Sequence, residues 1–170
     1  SVATRAGAMG MRLVATELYP ELSFVETHNI SLITIEELLA QSDYVTVHCP
    51  ATEDTYGMFN RHLFSLMKKG SMFINTARGS LVVEKDLIEA LNSGHLAGAG
   101  LDVFETEPVD INNPLNQLDK VVLSPHVAGE DDQSTIDMGV EAATCIVKLF
   151  RGEWPDEAVV NKELKGNWRW

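Results

Sequence analysis

Apolar residues along the chain fall in short blocks of four to six, separated by polar turns and by longer stretches of helical period. The clearest block is Ser71 to Ser80 (SMFINTARGS), where Met72, Phe73 and Ile74 predict a strand that stops at an arginine followed by glycine. A helix is predicted next, over Val83 to Asn92, with Leu87, Ile88 and Leu91 on one face and Gly94 as its stop. Before that block, a small-residue helix covers Ser1 to Met9, and strands are predicted at Met11 to Glu17, Ser31 to Ile33 and Asp43 to His48. A helical patch lies at Pro20 to Thr27. Thr34 and Glu37 have capping-box spacing ahead of a short helix, and another helix is expected around Asn60 to Met67. After the block come strands at Ala97 to Val103 and Val121 to Ser124, joined by a loop from Phe104 to Asp119. A long helix over Gln133 to Arg151 places Ile136, Val140, Ala143, Val147 and Phe150 on one face. The tail with Trp154, Trp168 and Trp170 has no clear period.

Alternation of short apolar strands with helices predicts an α/β fold, a doubly wound, mostly parallel sheet covered on both faces. Residues 1–129 are assigned to one domain and residues 130–170 to a C-terminal helix and tail. In such sheets ligands bind beyond the carboxyl ends of the strands. That edge is expected to gather Glu17, His48, Cys49, Thr76 to Arg78, Asp102 and His126.

Composition narrows the choice of partner. The net charge is −12 with no basic cluster, which disfavours nucleic acid and anionic membrane surfaces. No apolar run approaches the roughly 20 residues of a membrane span. Cys49 and Cys145 form no CxxC pair, and a reducing cytoplasm is the expected setting.

Arginine holds a carboxylate through two parallel hydrogen bonds, and Arg78 stands where a ligand would lie. Alone it would read as a surface arginine. His126, in PHVAG, can exchange a proton near neutral pH, and a neighbouring carboxylate favours imidazolium. Glu105 and Glu107, in DVFETEP, could each serve as that acid. Arginine, acid and histidine at strand ends together point to carbonyl–alcohol redox chemistry, with Asp102 able to position a nicotinamide ring. Glu17 ends a strand that follows a helix, where an acid can accept from an adenosine ribose and repel a 2′-phosphate. A solvated loop glutamate explains Glu17 equally well. Gly7-Ala8-Met9-Gly10 is not GxGxxG and precedes a strand. His28, His62 and His95 read as surface residues without metal-ligand spacing.

The segments MGMRLVATELYP, TIEELLAQSDYVTVHCPATEDT, INTARGSLV, GAGLDVFETEP and LSPHVAGE resemble, in order from residue 1 to about residue 160, the D-isomer-specific 2-hydroxyacid dehydrogenases. The resemblance implies Arg78, Glu107 and His126 as catalytic residues. It implies a cofactor side of Glu17, Cys49, Pro50 and Thr55, then Thr76, Ala77, Arg78 and Asp102, with His126 to Gly129 lining the same pocket. Formate dehydrogenases of this fold carry glutamine where Glu107 stands, so a 2-oxo or 2-hydroxy acid is the implied substrate, with NAD as cofactor and a homodimer as the assembly. A nucleotide-sensing co-repressor of the same fold, or an inactive fragment, is the competing expectation. No regulatory domain follows Trp170, which disfavours the long form of phosphoglycerate dehydrogenase.

Family members carry further sequence, including a first strand and GxGxxG, ahead of the helix that VATRAGAMG resembles, and the chain therefore reads as the C-terminal portion of a longer enzyme. In the strand order 3-2-1-4-5-6 the first strand lies between the second and the fourth. Without it, the strands at Met11 to Glu17 and Asp43 to His48 each face an empty lane. The 170 residues alone are then expected to be aggregation-prone or partly folded, without measurable NADH binding. Titration with NADH followed by fluorescence, alongside a thermal melt, checks this; a single cooperative melt with micromolar affinity would overturn it.

Overall fold

A computed structural model describes residues 1–168; Arg169 and Trp170, and with them the end of the tryptophan-bearing tail, lie outside the described residues. Ser1 to His126 form one compact unit and the chain from Val127 onward a second. The sequence places the corresponding boundary after residue 129.

Within the first unit, helix α1 (Val2–Ala8) leads to strand β1 (Val14–Ala15), helix α2 (Leu22–Thr27) and strand β2 (Ser31–Leu32). The Thr34 hydroxyl accepts from the Glu37 N–H and the Glu37 carboxylate accepts from the Thr34 N–H, so the predicted capping box is formed at the start of α3 (Ile35–Gln41). Strand β3 (Tyr44–Val47) follows. Asn60 caps α4 (Arg61–Leu66) by accepting from the N–H groups of His62 and Leu63. Strand β4 (Met72–Asn75) then runs into a 3-10 turn at Gly79–Leu81 and helix α5 (Glu84–Asn92). Gly94, at φ +72°, follows that helix in the left-handed conformation that commonly stops one. Strands β5 (Gly98–Leu101) and β6 (Val121–Leu123) complete the unit.

All strand pairs are parallel, in a four-stranded sheet of order β3-β4-β5-β6 and a separate two-stranded sheet of β1 and β2. This is the doubly wound order interrupted between β1 and β3. β1 is shorter than the predicted Met11 to Glu17, because a parallel ladder extends only as far as its partner, and β2 offers Ser31 and Leu32. The loop from Phe104 to Asp119 also departs from expectation. It contains a 3-10 turn at Pro114–Gln117, opened by the Asn113 side chain accepting from the Leu115 N–H. Asparagine followed by proline is a cap signal that the loop composition obscured.

The core lies on the face of the large sheet where Val45, Val47 and Phe73 point. Phe73 meets Phe59 and Phe64 with ring centroids 4.9 and 5.2 Å apart, the second edge to face. Such pairs add about 0.5–1.5 kcal/mol beyond area burial, so they anchor β4, the strand that carries the arginine turn. Leu87 and Leu91 of α5 are fully buried, as their helical spacing predicts.

In the second unit, Asp131 caps α6 (Asp132–Phe150) by accepting from the Ser134 N–H. The apolar face expected on this helix is present, yet Ile136, Val140, Val147 and Phe150 are all exposed. Trp154 and Trp168 pack with ring centroids 6.0 Å apart beyond it, and between them the chain forms a 3-10 turn at Lys162–Leu164 that the sequence had not indicated. Among the described residues no helix is long and apolar enough to cross a membrane.

Candidate active site

At the end of β4, Asn75 is 1% exposed and turns its side chain back onto its own chain. Its Oδ1 accepts from the Ala77 N–H at 3.0 Å and its Nδ2 donates to the Arg78 carbonyl at 2.9 Å. The turn that presents Arg78 is therefore fixed on both sides of that residue. The Arg78 guanidinium donates to the Ala77 carbonyl at 2.6 Å and remains exposed.

Gly79 follows at a place no other residue could occupy. A Cβ built there would lie 1.7 Å from the Phe104 carbonyl oxygen. The arginine turn and the loop after β5 thus touch backbone to backbone. From that loop the Phe104 N–H donates to Glu107 Oε1 at 2.9 Å. Glu107 Oε2 in turn meets His126 Nδ1 at 2.7 Å. Glu105, the alternative acid, is committed elsewhere: its carboxylate accepts from the Glu84 N–H and its own N–H donates to the Glu84 carboxylate. The two acids of DVFETEP are separated by what they hold, α5 in one case and the histidine in the other.

His126 sits at φ +59°, in the left-handed region where histidine is one of the few side chains enriched. Its N–H donates to the Asp102 carbonyl at 2.8 Å. The Asp102 carboxylate, 2% exposed, accepts from the Ser124 hydroxyl at 2.5 Å. Asp102 therefore braces β6 and the histidine turn from below.

The remaining expected residues are spread more widely. Thr76 is exposed and Ala77 half-buried beside Arg78. After β3, Thr55 donates to the Pro50 carbonyl and accepts from the Thr52 N–H, which folds the Cys49 to Thr55 loop on itself. Burial pushes the half-buried Cys49 thiol up; its backbone hydrogen bond opposes this and the Glu17 carboxylate adds to it. Glu17 is thus within electrostatic reach of Cys49, two residues past β1, exposed, and accepting from the Tyr19 N–H at 3.0 Å. Gly129 falls in the second unit. Of the histidines expected at the surface, His62 is exposed, while His28 is half-buried against Phe24 and His95 is half-buried with an enclosed Nε2. Their helix-end and loop contexts hid the packing beneath them.

Residues 1–128 match the model of the D-isomer specific 2-hydroxyacid dehydrogenase, NAD binding domain. The chain belongs to that family. It is 38% identical over 164 residues to the glyoxylate reductase of Korarchaeum cryptofilum, covering 96% of this chain and 49% of that protein. Among solved structures it is similar to the TT0316 protein of Thermus thermophilus (TM-score 0.83, 37% identity, 91% of this chain and 48% of that one). It is also similar to the D-lactate dehydrogenase of Aquifex aeolicus complexed with NAD and lactic acid (TM-score 0.80, 30% identity, 89% and 50%). The chain spans about half the length of these relatives.

The donor set of this NAD-binding domain fits the two ends of the dinucleotide. An exposed carboxylate stands two residues past β1, Arg78 and His126 follow β4 and β6, and the Asp102 carboxylate after β5 is 2% exposed and accepts from Ser124. A GxGxxG turn for the pyrophosphate is absent from the sequence.

Asn75, Gly79 and Ser124 were not singled out from the sequence. For Asn75 a signal was present, since asparagine at a strand end before a small-residue turn often bonds the backbone two residues on.

The His126 hydrogen bond, and after it that of the Phe104 N–H, holds the Glu107 carboxyl below its ordinary range. A depressed carboxyl keeps its ionised form, and the contact to His126, as pH falls past the ordinary range, and loses both only on passing the lower value. In a ¹³C-detected carboxylate titration, Glu107 is expected to have a midpoint below that of solvent-exposed glutamates, and His126→Ala to raise it. A midpoint unmoved by His126→Ala would refute this origin of the shift.

Proposed function

We propose that the protein interconverts a 2-oxo acid and its D-2-hydroxy acid, with NAD as the redox partner. The observation that carries this reading is the 2.7 Å contact between Glu107 and His126, formed on the sheet edge that also presents Arg78. The charge of Arg78 helps hold Glu107 ionised, so the three groups share one electrostatic environment. The glyoxylate reductase and D-lactate dehydrogenase relatives support the substrate class by their names.

Bound NAD would exchange the hydride with C2 of the substrate. Arg78 would hold the substrate carboxylate through its planar fork. With Nδ1 engaged by Glu107, Nε2 is the atom of His126 that would deliver a proton to the carbonyl oxygen as it becomes an alkoxide, and take it back in the reverse direction. Glu107 would fix the tautomer and orientation of the His126 ring. Glu17 would take the adenosine ribose, the Cys49, Pro50 and Thr55 loop and Thr76 to Arg78 would run along the dinucleotide, and Asp102 and His126 would border the nicotinamide. Homodimerisation and a cytoplasmic setting belong to the same reading, the latter supported by two cysteines that are both unpaired.

In the full-length gene product, His126→Ala or Arg78→Ala is expected to lower NADH-dependent turnover of glyoxylate, hydroxypyruvate or pyruvate by about 100- to 10,000-fold while leaving NADH binding largely intact. Steady-state kinetics with NADH titration checks this, and a His126→Ala variant within twofold of the parent would remove the proposed role. Glu17 predicts a strong preference for NAD, relaxed by Glu17→Gln combined with a nearby arginine. Equal use of NADP by the parent would show that Glu17 is misplaced in this reading.

A further inference from the structure

We infer that Asn75 is a positioning residue for Arg78, a role that rests on the proposed binding of the substrate carboxylate by that arginine. Asn75 ends β4 at the centre of the sheet, in register with Val47 on one side and Leu101 on the other, and both neighbours are buried. An amide buried there would ordinarily be replaced by an apolar side chain unless both its ends were used. Both are used, on the Thr76–Ala77 and Arg78–Gly79 peptide groups that bracket the Ala77–Arg78 pair. The Ala77 N–H can only donate and the Arg78 carbonyl can only accept, so the orientation of the amide is fixed by its partners. No other side chain of that size supplies one acceptor and one donor in this spacing. The result is an extended Arg78, at φ −148° and ψ 141°, whose guanidinium is tied by Nη1 to the Ala77 carbonyl.

A second line runs through the backbone of the same residue. The Asn75 carbonyl accepts from the Asp102 N–H at 3.0 Å, and the Asp102 carbonyl accepts from the His126 N–H at 2.8 Å. Asn75 is therefore the point from which both the arginine turn and the histidine turn are hung. Asn75→Asp keeps an acceptor for Ala77 but sets a carboxylate oxygen against the Arg78 carbonyl. The turn carrying the guanidinium should then shift while the strand keeps its ladder. Misplacing a substrate-orienting group by about 1 Å can cost up to about 100-fold in rate.

The test is a double-mutant cycle in the full-length gene product, with kcat/KM for glyoxylate, the KM-against-kcat split and the NADH dissociation constant as readouts. Asn75→Asp is expected to lower kcat/KM by about tenfold to 100-fold, mainly through a raised KM, with NADH binding within twofold of the parent. In an Arg78→Ala background the same substitution should change kcat/KM by less than twofold. An equal loss in both backgrounds overturns the inference and leaves the reading of Arg78 standing. An Arg78→Ala variant as active as the parent overturns that reading and the inference with it. Asn75→Ser, which keeps a shorter acceptor for the Ala77 N–H, runs the same cycle if Asn75→Asp does not fold. Loss of folding in both would make Asn75 a folding residue and overturn the inference.

Discussion

The approach of Gly79 to the Phe104 backbone is the constraint on which the site depends. With 1.7 Å between a hypothetical Cβ and the Phe104 oxygen, the arginine turn can carry no side chain at position 79. Two separate strand ends are thereby pressed into one surface. Residues 104 and 105 are then clamped on their other side by the reciprocal bonds between Glu84 and Glu105 at the start of α5. What remains free to extend from the loop is Glu107, held by the Phe104 N–H and aimed at His126. Arginine, acid and histidine lie 29 and 19 residues apart in pairs along the chain. Their proximity is a consequence of backbone contact rather than of attraction between their charges.

Magnitudes support that ordering. An exposed ion pair is worth about 0.2–1 kcal/mol, and Glu107 and His126 are 36% and 47% exposed. A non-glycine residue in the left-handed region costs on the order of 1–3 kcal/mol. The pair alone would barely hold His126 at φ +59°. The bond from its N–H to the Asp102 carbonyl, and the brace from Ser124 beneath, supply the rest. The acid–histidine contact contributes orientation more than stability.

The sheet edge was legible because parallel strands leading to Arg78, Asp102 and His126 can direct those residues to one side alone; Glu17, expected on the same edge, follows a strand of the separate two-stranded sheet. Helix starts were legible where a side chain declares itself, as at Thr34 with Glu37 and at Asn60. Strand lengths were less so, since a ladder is a property of two segments and β1 is limited by β2. The choice between Glu105 and Glu107 could not be made from the residues alone: both follow the same strand, and only the fold shows Glu105 bonded to the start of α5. Asn75 and Gly79 were hidden for a related reason. Their importance lies in backbone atoms remote in sequence or two residues on, which neither hydrophobic period nor charge records.

The divided sheet separates two tasks that the proposed reaction must join. Arg78, Glu107 and His126 are carried by the four-stranded sheet, and Glu17 by the pair β1 and β2. Helix α3 packs against both β1 and α4 and so ties the smaller sheet to the larger. Its last residue, Gln41, accepts from Arg12 at 2.8 Å just ahead of β1, and its first turn is fixed by the Thr34 capping box. A cap of that kind is worth about 1 kcal/mol, comparable with the other local terms at this junction. The geometry of the groups proposed to react is thus set within one ladder. The distance from those groups to the residue proposed to choose the cofactor depends on the packing of this short helix, so loosening α3 would disturb the proposed cofactor selection before it disturbed the acid, the arginine or the histidine.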